Sequence, residues 1–435
     1  MHRLSHRMTR RRFVRQAGTA AATFAAATTT ISRRAFAAEV DPIEVAFVGL
    51  GERGGQLLET FVATGRIRVA WLCDVHQAAI DSAQRLAARQ GRPPRTTSDF
   101  RHVLEDRRTQ AVVLATPDHW HATAALLALK AGKAVYLEPP LAHNPREGEL
   151  LVEGARRTRG IIDVGFQHRG IPWVREIVDR LRAREFGPVH FTRAWHTDQR
   201  GSIGFGQLAP VPAGFDYDLW QGPAPDRPFR DNLLPRNWRW FWNWGTGESG
   251  LHGVHYLDIA RWALDLDCPL RVGSAGGRYH FVDDQETPDT QTVTYDFGRQ
   301  TVVWEHRSCV PQPVEGEPSG IEFVGEKASV IIGRVGYRIL DPRGREIRRV
   351  EGEDTVSASH AVGAFLSRIL RRGTDPAAGV EDAHKSTLLV HVGNIAHRIG
   401  HSVALNPETR QVRDDREAAA LWHRAYRNGW EPVVP

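Results

Sequence analysis

Cysteine is scarce in this sequence, with three residues among 435. Three thiols, at Cys73, Cys268 and Cys309, are too few for the disulfide scaffold of a small secreted protein. Long hydrophobic runs are also missing, because no stretch of apolar residues reaches the roughly 20 positions that a membrane helix needs. We therefore predict a protein with no stable membrane span, whose fold depends on apolar cores.

Acidic residues are absent from the first 37 positions, which carry eight arginines. The whole chain has a formal net charge of +6, a value that by itself suggests a nucleic-acid or membrane-surface partner. Without these eight of the 57 basic residues, 49 remain against 51 acidic residues, a net charge of −2. The basic character belongs to the leading segment, and we predict no nucleic-acid partner.

The leading segment, residues 1–37, has the features of a twin-arginine export signal. These features are, in order, the run Thr9-Arg10-Arg11-Arg12-Phe13-Val14-Arg15, a weakly apolar stretch from Ala17 to Ile31, and the small-x-small pattern Ala35-Phe36-Ala37. A disordered basic tail is the alternative. The signal predicts export by the twin-arginine machinery to the periplasm or another extracytoplasmic compartment, with cleavage before Ala38 or retention as an anchor. Substrates of this route fold before export, so we expect a cofactor to be tightly bound.

The first motif after the leader is a strand, a glycine-rich turn and a helix. The β-rich run Ile43–Val48 leads into the turn Gly49-Leu50-Gly51-Glu52-Arg53-Gly54. This pattern is the dinucleotide-binding fingerprint, in which glycines permit the tight turn and the helix N-terminus holds the pyrophosphate. A second strand, Ile67–Cys73, ends at Asp74, twenty residues beyond Gly54. An acid at this distance suits the ribose 2′-hydroxyl, so we predict NAD(H); nearby His76 leaves NADP open, and a helix N-cap is the alternative role for Asp74.

Strands and helices continue to alternate along the chain. Three further strands are predicted at Ala111–Ala115, Ala134–Leu137 and Ile161–Val164. The polar segments that follow them are Thr116-Pro117-Asp118-His119-Trp120-His121, Glu138-Pro139-Pro140 and Gly165-Phe166-Gln167-His168-Arg169. This alternation predicts an α/β fold with a doubly wound parallel sheet, and ligands of such sheets bind at the carboxyl ends of the strands.

Several motifs together resemble the Gfo/Idh/MocA family of sugar and cyclitol oxidoreductases, most closely its exported twin-arginine branch. Besides the segments above, they are Tyr217-Asp218-Leu219-Trp220-Gln221-Gly222-Pro223, Asn237-Trp238-Arg239-Trp240-Phe241-Trp242, Gly253-Val254-His255-Tyr256-Leu257-Asp258 and His391-Val392-Gly393-Asn394-Ile395-Ala396. The resemblance covers essentially all of the chain after the leader. It implies a Rossmann domain over residues 42–168 and, over residues 169–435, a substrate and oligomerisation domain with a mostly antiparallel open sheet.

The sequence of the second predicted domain agrees with that implication. Five β-rich runs follow one another with turn residues between them, as in a meander: Pro188–His196, Gln291–Phe297, Thr301–His306, Gly320–Val324 and Ser329–Ile332. The resemblance further implies a homo-oligomer and a small carbohydrate substrate.

The resemblance also implies roles for individual residues. The cofactor contacts are the six residues of the glycine turn together with Asp74, Thr116, Pro117, His119, His121, Glu138, Pro139 and Gln167. The substrate contacts are His168, Trp242 and His252, and the catalytic base is His255. Histidine suits that task because its ordinary pKa, about 6.5, lies near neutral pH; a satisfied core histidine is the alternative.

Two positions depart from the family pattern, which has Glu-Lys-Pro and an aspartate four residues before the histidine. Here the lysine position is Pro139 and the aspartate position is Leu251. Either His255 works alone as the base, or redox chemistry is weakened or lost. Three hypotheses follow: an NAD-dependent oxidoreductase acting on a sugar CH–OH group, a redox-neutral glycoside-cleaving enzyme that retains its cofactor, and a non-catalytic carbohydrate- or nucleotide-binding relic.

Two other patterns admit more than one interpretation. His252 and His255 lie three apart and could chelate a metal with a third histidine (His119, His121, His168 or His196). Because no acidic partner recurs at metal spacing, we predict no metal.

Tryptophan occupies every second position from 238 to 244. In an extended segment this spacing would place four indoles on one face, where they would form either a platform for sugar rings or part of the buried core. Burial is the preferred interpretation for most of them.

Overall fold

The computed structural model describes residues 41–88, 91–352, 358–371 and 378–435. The export signal predicted over residues 1–37 lies outside the described residues. Residues Ile43–Pro435 form one compact unit. Among the helices that the structure describes, none combines the length and the apolar character needed to cross a membrane.

The first sheet has six parallel strands in the order β3-β2-β1-β4-β5-β6. The strands are β1 Ile43–Val48, β2 Ile67–Cys73, β3 Arg95–Thr97, β4 Ala111–Leu114, β5 Ala134–Leu137 and β6 Ile162–Val164. All four residues of β4 and five of the six in β1 are buried, as expected for strands covered by helices on both faces. The predicted doubly wound parallel sheet is confirmed. Its strand order reverses between β1 and β4, which opens a crevice at their carboxyl ends.

Six α-helices of this half of the chain lie within the described residues. They are α1 Glu52–Ala63, α2 Gln77–Ala87, α3 Phe100–Glu105, α4 His121–Lys130, α5 Pro145–Thr158 and α6 Pro172–Arg182. α1 crosses very close to the turn after β1, because a Cβ atom at Gly54 would lie 1.9 Å from the carbonyl oxygen of Gly49. Gly49 itself has a φ of +82°, which favours glycine. Both glycines are therefore needed for the backbone to pass from β1 into α1.

The second sheet has nine strands in the order β14-β13-β12-β11-β7-β10-β9-β8-β15. The strands are β7 Val189–Thr197, β8 Arg271–Gly277, β9 Thr290–Asp296, β10 Thr301–Arg307, β11 Ser319–Gly325, β12 Ser329–Gly333, β13 Gly336–Leu340, β14 Glu346–Glu351 and β15 Val403–Ala404. Every pairing is antiparallel except that of β7 with β10, which confirms the mostly antiparallel sheet. The expectation of a simple meander is wrong, since β7 lies between β10 and β11.

Helices from the later part of the chain cover both sheets. They are α7 Tyr217–Gln221, α8 Val254–Leu264, α9 Ser359–Leu370, α10 Ala378–Ile399 and α11 Arg416–Ala420. α9 packs on the first sheet, where the ring of Phe365 lies 6.2 Å from that of Phe61 and 5.6 Å from that of Tyr136. The core of the first sheet is therefore completed by residues far along the chain. The division at 42–168 and 169–435 stays a prediction.

Candidate active site

A pocket of about 1560 Å³ opens at the carboxyl ends of β1 and β4. It is lined by most of the residues assigned from the sequence: Gly49, Gly51, Glu52, Arg53, Asp74, Thr116, Pro117, His121, Glu138, Pro139, Gln167, His168, His252 and His255. The structure does not bring four others, Leu50, Gly54, His119 and Trp242, to its wall. The volume exceeds the roughly 300–1,000 Å³ of an ordinary small-molecule pocket, which leaves room for a dinucleotide and a sugar together.

The cofactor end of the pocket is the glycine turn at the start of α1. Gly51 is the N-cap of α1, and no side chain caps the helix there. A Cβ atom at Gly51 would meet nothing within 4 Å, so the space in front of the helix is open. The first amide groups of a helix have no partner within the helix and attract anions. These features fit the pyrophosphate of a dinucleotide.

Asp74 follows β2 at the wall of the pocket. Its carboxylate accepts hydrogen bonds from the backbone amides of Leu50, at 2.5 Å, and His76, at 2.8 Å. Leu50 therefore positions Asp74 through its backbone. The N-cap of α2 is His76, so Asp74 does not have the capping role considered as its alternative. Burial raises the pKa of Asp74, and the two amides act in the opposite direction.

Arg53 connects the glycine turn to the ends of two other strands. Its Nε donates to one oxygen of Glu138 at 2.6 Å, and its Nη2 donates to the other at 3.2 Å. The same Nη2 donates to the side-chain oxygen of Gln167 at 3.0 Å. A two-point guanidinium–carboxylate pair is directional as well as strong. Arg53 thus fixes Glu138 and Gln167 next to Pro139, and this pairing is not evident from the sequence.

The two histidines after β4 have different surroundings. His121 lines the pocket, and its ring nitrogens lie 2.7 Å from the carbonyl oxygen of Pro140 and 2.9 Å from that of Thr116. His119 is buried behind the pocket, with its Nε2 2.9 Å from the carbonyl oxygen of Trp220. Burial lowers the pKa of His119 to about 3. His119 therefore packs in the core, although the family resemblance assigns it to the cofactor.

The part of the pocket that the family resemblance assigns to the substrate, called the sugar end below, contains His168 and His255. Their ring centroids are 5.1 Å apart. An ion pair brings them together, because Arg169 donates to both oxygens of Asp258, at 2.7 and 2.6 Å. This pair ties the turn that carries His168 to α8, the helix that carries His255. The buried Asp258 of the family motif is thus a positioning residue.

His255 has the properties of a neutral base. Burial, followed by the neighbouring His168 and His252, lowers its pKa well below the usual range. Its Nδ1 is buried, and no hydrogen-bond partner for it occurs in the part of the chain that the structure describes. His255 lines the pocket, where a neutral imidazole can accept a proton from a bound hydroxyl group.

A carboxylate–imidazole pair, Glu248 and His252, lies next to His255. The short π-helical turn Ser249–Gly253 precedes α8 and carries His252, whose Nδ1 lies 2.7 Å from a carboxylate oxygen of Glu248. Burial alone would raise the pKa of Glu248, but His252 and Arg200 outweigh it and hold that pKa well below its usual range. Sequence reasoning missed Glu248, although its spacing of four residues before His252 was the available signal.

Glu248 and His252, with His196, are also the candidate metal ligands. Their ligand atoms lie within 4.8 Å of one another, so the premise that no acidic partner is available is wrong. However, the rings of His196 and His252 stack at 3.8 Å with only 16° between their planes, so their nitrogens point in parallel directions. A guanidinium nitrogen of Arg200 lies 3.4 Å from Glu248 and would repel a dication. The arrangement suits a carboxylate–imidazole pair better, and the absence of a metal stays a prediction.

Trp242 does not reach the large pocket, and its assignment as a substrate contact is not supported by its position. The segment Asn237–Trp240 is a 3₁₀ turn rather than an extended strand, so the indoles do not share one face. Trp238, which sequence reasoning did not single out, lines the large pocket. Trp242 instead lines a separate cavity and lies 5.2 Å under the guanidinium of Arg398.

Comparison with known proteins supports the same architecture. Residues 43–166 match the Gfo/Idh/MocA profile described as an oxidoreductase family with an NAD-binding Rossmann fold. Residues 193–321 match the corresponding oxidoreductase C-terminal alpha/beta domain. Together the two matches span the first sheet and much of the second.

The curated relatives include glycosyl hydrolase family 109 proteins of Shewanella. The protein of Shewanella sp. strain W3-18-1 is 33% identical to this chain, and the alignment covers 71% of each. The protein of Shewanella putrefaciens is 31% identical over the same shares.

Among solved structures, levoglucosan dehydrogenase in complex with NADH and levoglucosan has a TM-score of 0.65, at 17% identity. The WlbA dehydrogenase of Bordetella pertussis, in complex with NADH and UDP-GlcNAcA, has a TM-score of 0.64, at 18% identity. In both cases 84% of this chain and 99% of the other are covered. These likenesses show the fold, whereas the sequence matches show the family. The chain belongs to the Gfo/Idh/MocA family of oxidoreductases, with an NAD-binding Rossmann fold.

Proposed function

We propose that the protein oxidises an alcohol carbon of a sugar or sugar derivative, with NAD⁺ as the hydride acceptor and His255 as the base. The observation that carries the proposal is the position of His255, which lies in the wall of the same pocket as the glycine turn. The NADH-bound sugar dehydrogenases of the same fold support it by analogy. NADP stays open, because His76 adjoins Asp74.

In this proposal the residues of the chain divide the work. His255 takes the hydroxyl proton as the carbon–hydrogen bond breaks and the carbonyl group forms, and the hydride leaves to the nicotinamide. His168 faces His255 and contacts the sugar. Trp238 and Trp220 line the wall of the pocket and help to exclude water.

Arg53 supplies a positive charge where the family lysine is replaced by Pro139. It is one of the cations that lower the pKa of His255. A fixed guanidinium stabilises the negative charge that develops on the substrate oxygen, but it does not titrate near neutral pH. The proton transfer therefore falls to His255 alone.

The test begins with the nucleotide. Denaturation of the purified protein, with mass spectrometry of what it releases, should give NAD(H) at about one per chain. The parent protein, incubated with a panel of sugars and glycosides, should then yield a ketosugar or a cleaved glycoside. A variant that lacks His255 should yield neither. A protein that neither carries nor takes up NAD(H), yet binds sugars, would support the relic and contradict this proposal.

A second candidate function is glycoside cleavage without net redox change. In this scheme a proton is removed beside a transient carbonyl group, the glycosidic bond breaks as its oxygen takes up a proton, and water then adds to the double bond. NAD, when bound, would accept the hydride and return it to the same carbon, so the net redox change is zero. Such chemistry needs a second acid–base group, and His252, paired with the buried Glu248, provides one in the wall of the same pocket. The relatives named as glycosyl hydrolase family 109 proteins favour this candidate.

Deuterium separates the two candidates. In D₂O, a redox-neutral cleavage incorporates deuterium at the carbon next to the oxidised one and accumulates no NADH. Simple oxidation produces NADH in equal amount to the ketosugar, and it needs no such exchange. Mass spectrometry of the recovered sugar with absorbance at the NADH band measures both outcomes.

Export and cofactor retention are part of the same proposal. We propose that the twin-arginine machinery exports the folded, NAD-loaded protein as a homo-oligomer, on the strength of the arginine motif and the family resemblance. Replacement of Arg10 and Arg11 by lysine keeps the charge and removes the guanidinium pair. This variant should stay in the cytoplasm, whereas export unchanged from that of the parent would contradict the proposal. Light scattering of the purified protein gives the oligomeric state.

A further inference from the structure

The cavity that Trp242 lines is separate from the candidate active site. It has a volume of about 260 Å³ and lies between the N-terminus of α5, the turn that follows Trp240, the last turns of α10 and the segment after α11. No described residue lines both cavities. An inference about this cavity therefore does not depend on the proposed function.

The wall of this cavity is rich in cationic and imidazole groups. The side chains with such groups are Arg398, Arg424, His143, His391 and His423. Neither aspartate nor glutamate is among the described residues of its lining. Arg398 and His423 are exposed and mark the opening, whereas His391 is 4% exposed.

The carboxylate of Glu147 lies behind the wall and already accepts hydrogen bonds. Glu147 is 1% exposed. One of its oxygens accepts a hydrogen bond from the backbone amide of His143, and the other accepts one from the hydroxyl group of Tyr426, both at 2.9 Å. Its charge acts on Arg424, and that of Glu286 acts on Arg398. Neither carboxylate lines the cavity, so among the described residues the charged side chains of its lining are cationic.

Five nitrogen atoms of the wall are buried without a hydrogen bond. They are Nη1 and Nη2 of Arg424, both ring nitrogens of His143 and Nε2 of His391, counted over the residues that the structure describes. Buried polar groups in native proteins are almost always hydrogen-bonded, and an unpaired buried cation is costly. Because all three side chains face one cavity, the missing acceptors belong to something that binds inside it.

We propose that this cavity binds a tetrahedral oxyanion, phosphate or sulfate, either as the free ion or as the substituent of a sugar. The planar guanidinium of Arg424 can donate two parallel hydrogen bonds to such an anion. His143 adds an imidazole N–H group from the same lining, and His391 adds another once its Nε2 is protonated. The volume is slightly below the roughly 300–1,000 Å³ of drug-sized pockets, which matches a small anion or a single charged group.

The protonation of the two histidines agrees with this assignment. Burial lowers the pKa of His391 to about 3 and holds that of His143 well below its usual range. Both rings are therefore neutral without an anion. His143 has one N–H group to donate, whereas His391 bonds the backbone of Ala142 and its Nε2 becomes a donor only when the ring is protonated. An anion in the cavity would raise both pKa values, so binding should strengthen as the pH falls.

Isothermal titration calorimetry of the full protein with sodium sulfate and with inorganic phosphate tests the proposal. The parent should bind one ion per chain. Arg424→Gln should lower the affinity roughly tenfold or more, since it removes a charged hydrogen-bond donor pair. Arg413→Gln is the matched control, because Arg413 is an exposed arginine of the same C-terminal region, and it should change the affinity less than about twofold. Arg424→Lys keeps the charge and serves if the glutamine variant does not fold.

The glycine turn also attracts anions, so the position of the ion must be shown. Titration with and without saturating NAD⁺, which occupies that turn, should give the same Arg424-dependent site. Anomalous scattering from selenate in a crystal should place the ion within hydrogen-bond distance of Arg424. Absence of binding at millimolar sulfate and phosphate, wild-type affinity in Arg424→Gln, or selenate only at the glycine turn would overturn the proposal.

A sugar phosphate distinguishes the two sources of the anion. Glucose 6-phosphate that binds more tightly than inorganic phosphate, again through Arg424, would identify the anion as a substituent of a larger ligand. Tighter binding of inorganic phosphate or sulfate would identify the free ion. Either result supports the oxyanion site.

Discussion

The two ends of the large pocket are built in different ways. The cofactor end is formed by backbone: a turn that requires Gly49 and Gly54, and the open N-terminus of α1. The sugar end is formed by side chains that come from distant parts of the chain, among them His168, His252 and His255. A backbone site is encoded by a short contiguous motif, whereas a side-chain site depends on long-range packing. The first therefore tolerates little change, and the second can diverge in chemistry while the fold is kept.

The largest effect on stability and on cofactor affinity is expected from a methyl group at the cofactor end. In Gly54→Ala the new Cβ would lie 1.9 Å from the carbonyl oxygen of Gly49, which is backbone and cannot rotate away. We expect a loss of about 1–3 kcal/mol of stability and at least a tenfold loss of NAD⁺ affinity. Chemical denaturation and titration calorimetry measure the two effects.

Gly55→Ala is the matched control, because a Cβ atom at Gly55 would meet nothing within 4 Å. It should keep NAD⁺ affinity and raise stability by up to about 1 kcal/mol through helix propensity. Equal effects of the two substitutions would show that the cofactor end does not depend on the close approach of α1 to β1.

The largest effect on turnover is expected at the sugar end. His255→Ala removes the proposed base and should lower kcat roughly 10²- to 10⁴-fold with the fold and NAD⁺ binding intact. The exposed His190, which pairs with Glu326 on the outer surface, gives the control variant His190→Ala with unchanged turnover. Unchanged turnover in His255→Ala would assign the base to another residue.

The pH profile sharpens the same assignment. The pKa of His255 is lowered by burial, so its basic form exists above that lowered value and is lost only as the pH falls through it. We expect kcat/KM to stay within about twofold from about pH 6 to 8 and to fall at more acidic pH. A fall already centred near pH 6.5 would indicate an unperturbed, solvent-exposed histidine instead.

Glu248→Gln should have a smaller effect than His255→Ala. It weakens the carboxylate that orients His252, and the loss of such an outer partner costs about 10- to 100-fold. If only glycoside cleavage falls while NADH formation from a free sugar is kept, the pair serves the elimination chemistry. A wild-type rate for both reactions would remove the pair from the mechanism.

The smallest effect is expected from Asp74→Ser. The serine keeps a short polar side chain but removes the charge that disfavours a 2′-phosphate, so the preference for NAD⁺ over NADP⁺ should fall roughly tenfold. Asp81→Ser is the control, since Asp81 is exposed on α2, where its carboxylate accepts a hydrogen bond from the side chain of Gln77. An unchanged ratio of the two dissociation constants would contradict the assignment of Asp74 to the ribose.

The sequence predicts the cofactor end well because each of its signals is local. The strand β1, the turn and α1 are contiguous. The edge strand β3 is polar and was not predicted, but β2, β4, β5 and β6 follow as short, mainly apolar runs within 125 residues. The same holds for most strands of the second sheet, where alternation with one buried face marks β9 and β10. The order of those strands was not predictable, because β7 inserts between β10 and β11 through contacts that local pattern does not encode.

The sugar end was predictable in part for the same reason. The family motif locates His255, but the pairing of Arg53 with Glu138 joins residues 85 positions apart. Trp242 was assigned to the sugar on the premise of an extended segment, and a single 3₁₀ turn directs its indole elsewhere. Side-chain direction after an irregular turn depends on packing, which alternation of residue types does not reveal.

The position of α9 has a consequence for synthesis on the ribosome. Phe365 fills the face of the first sheet between Phe61 and Tyr136, and about 200 residues separate it from the last strand of that sheet, β6. At a translation rate of about 5–20 residues per second, about 10–40 seconds pass between the synthesis of β6 and that of α9, the helix that covers the sheet. Nascent chains stalled before α9 should therefore expose an apolar face and recruit chaperones, and nucleotide loading should follow release of the finished polypeptide.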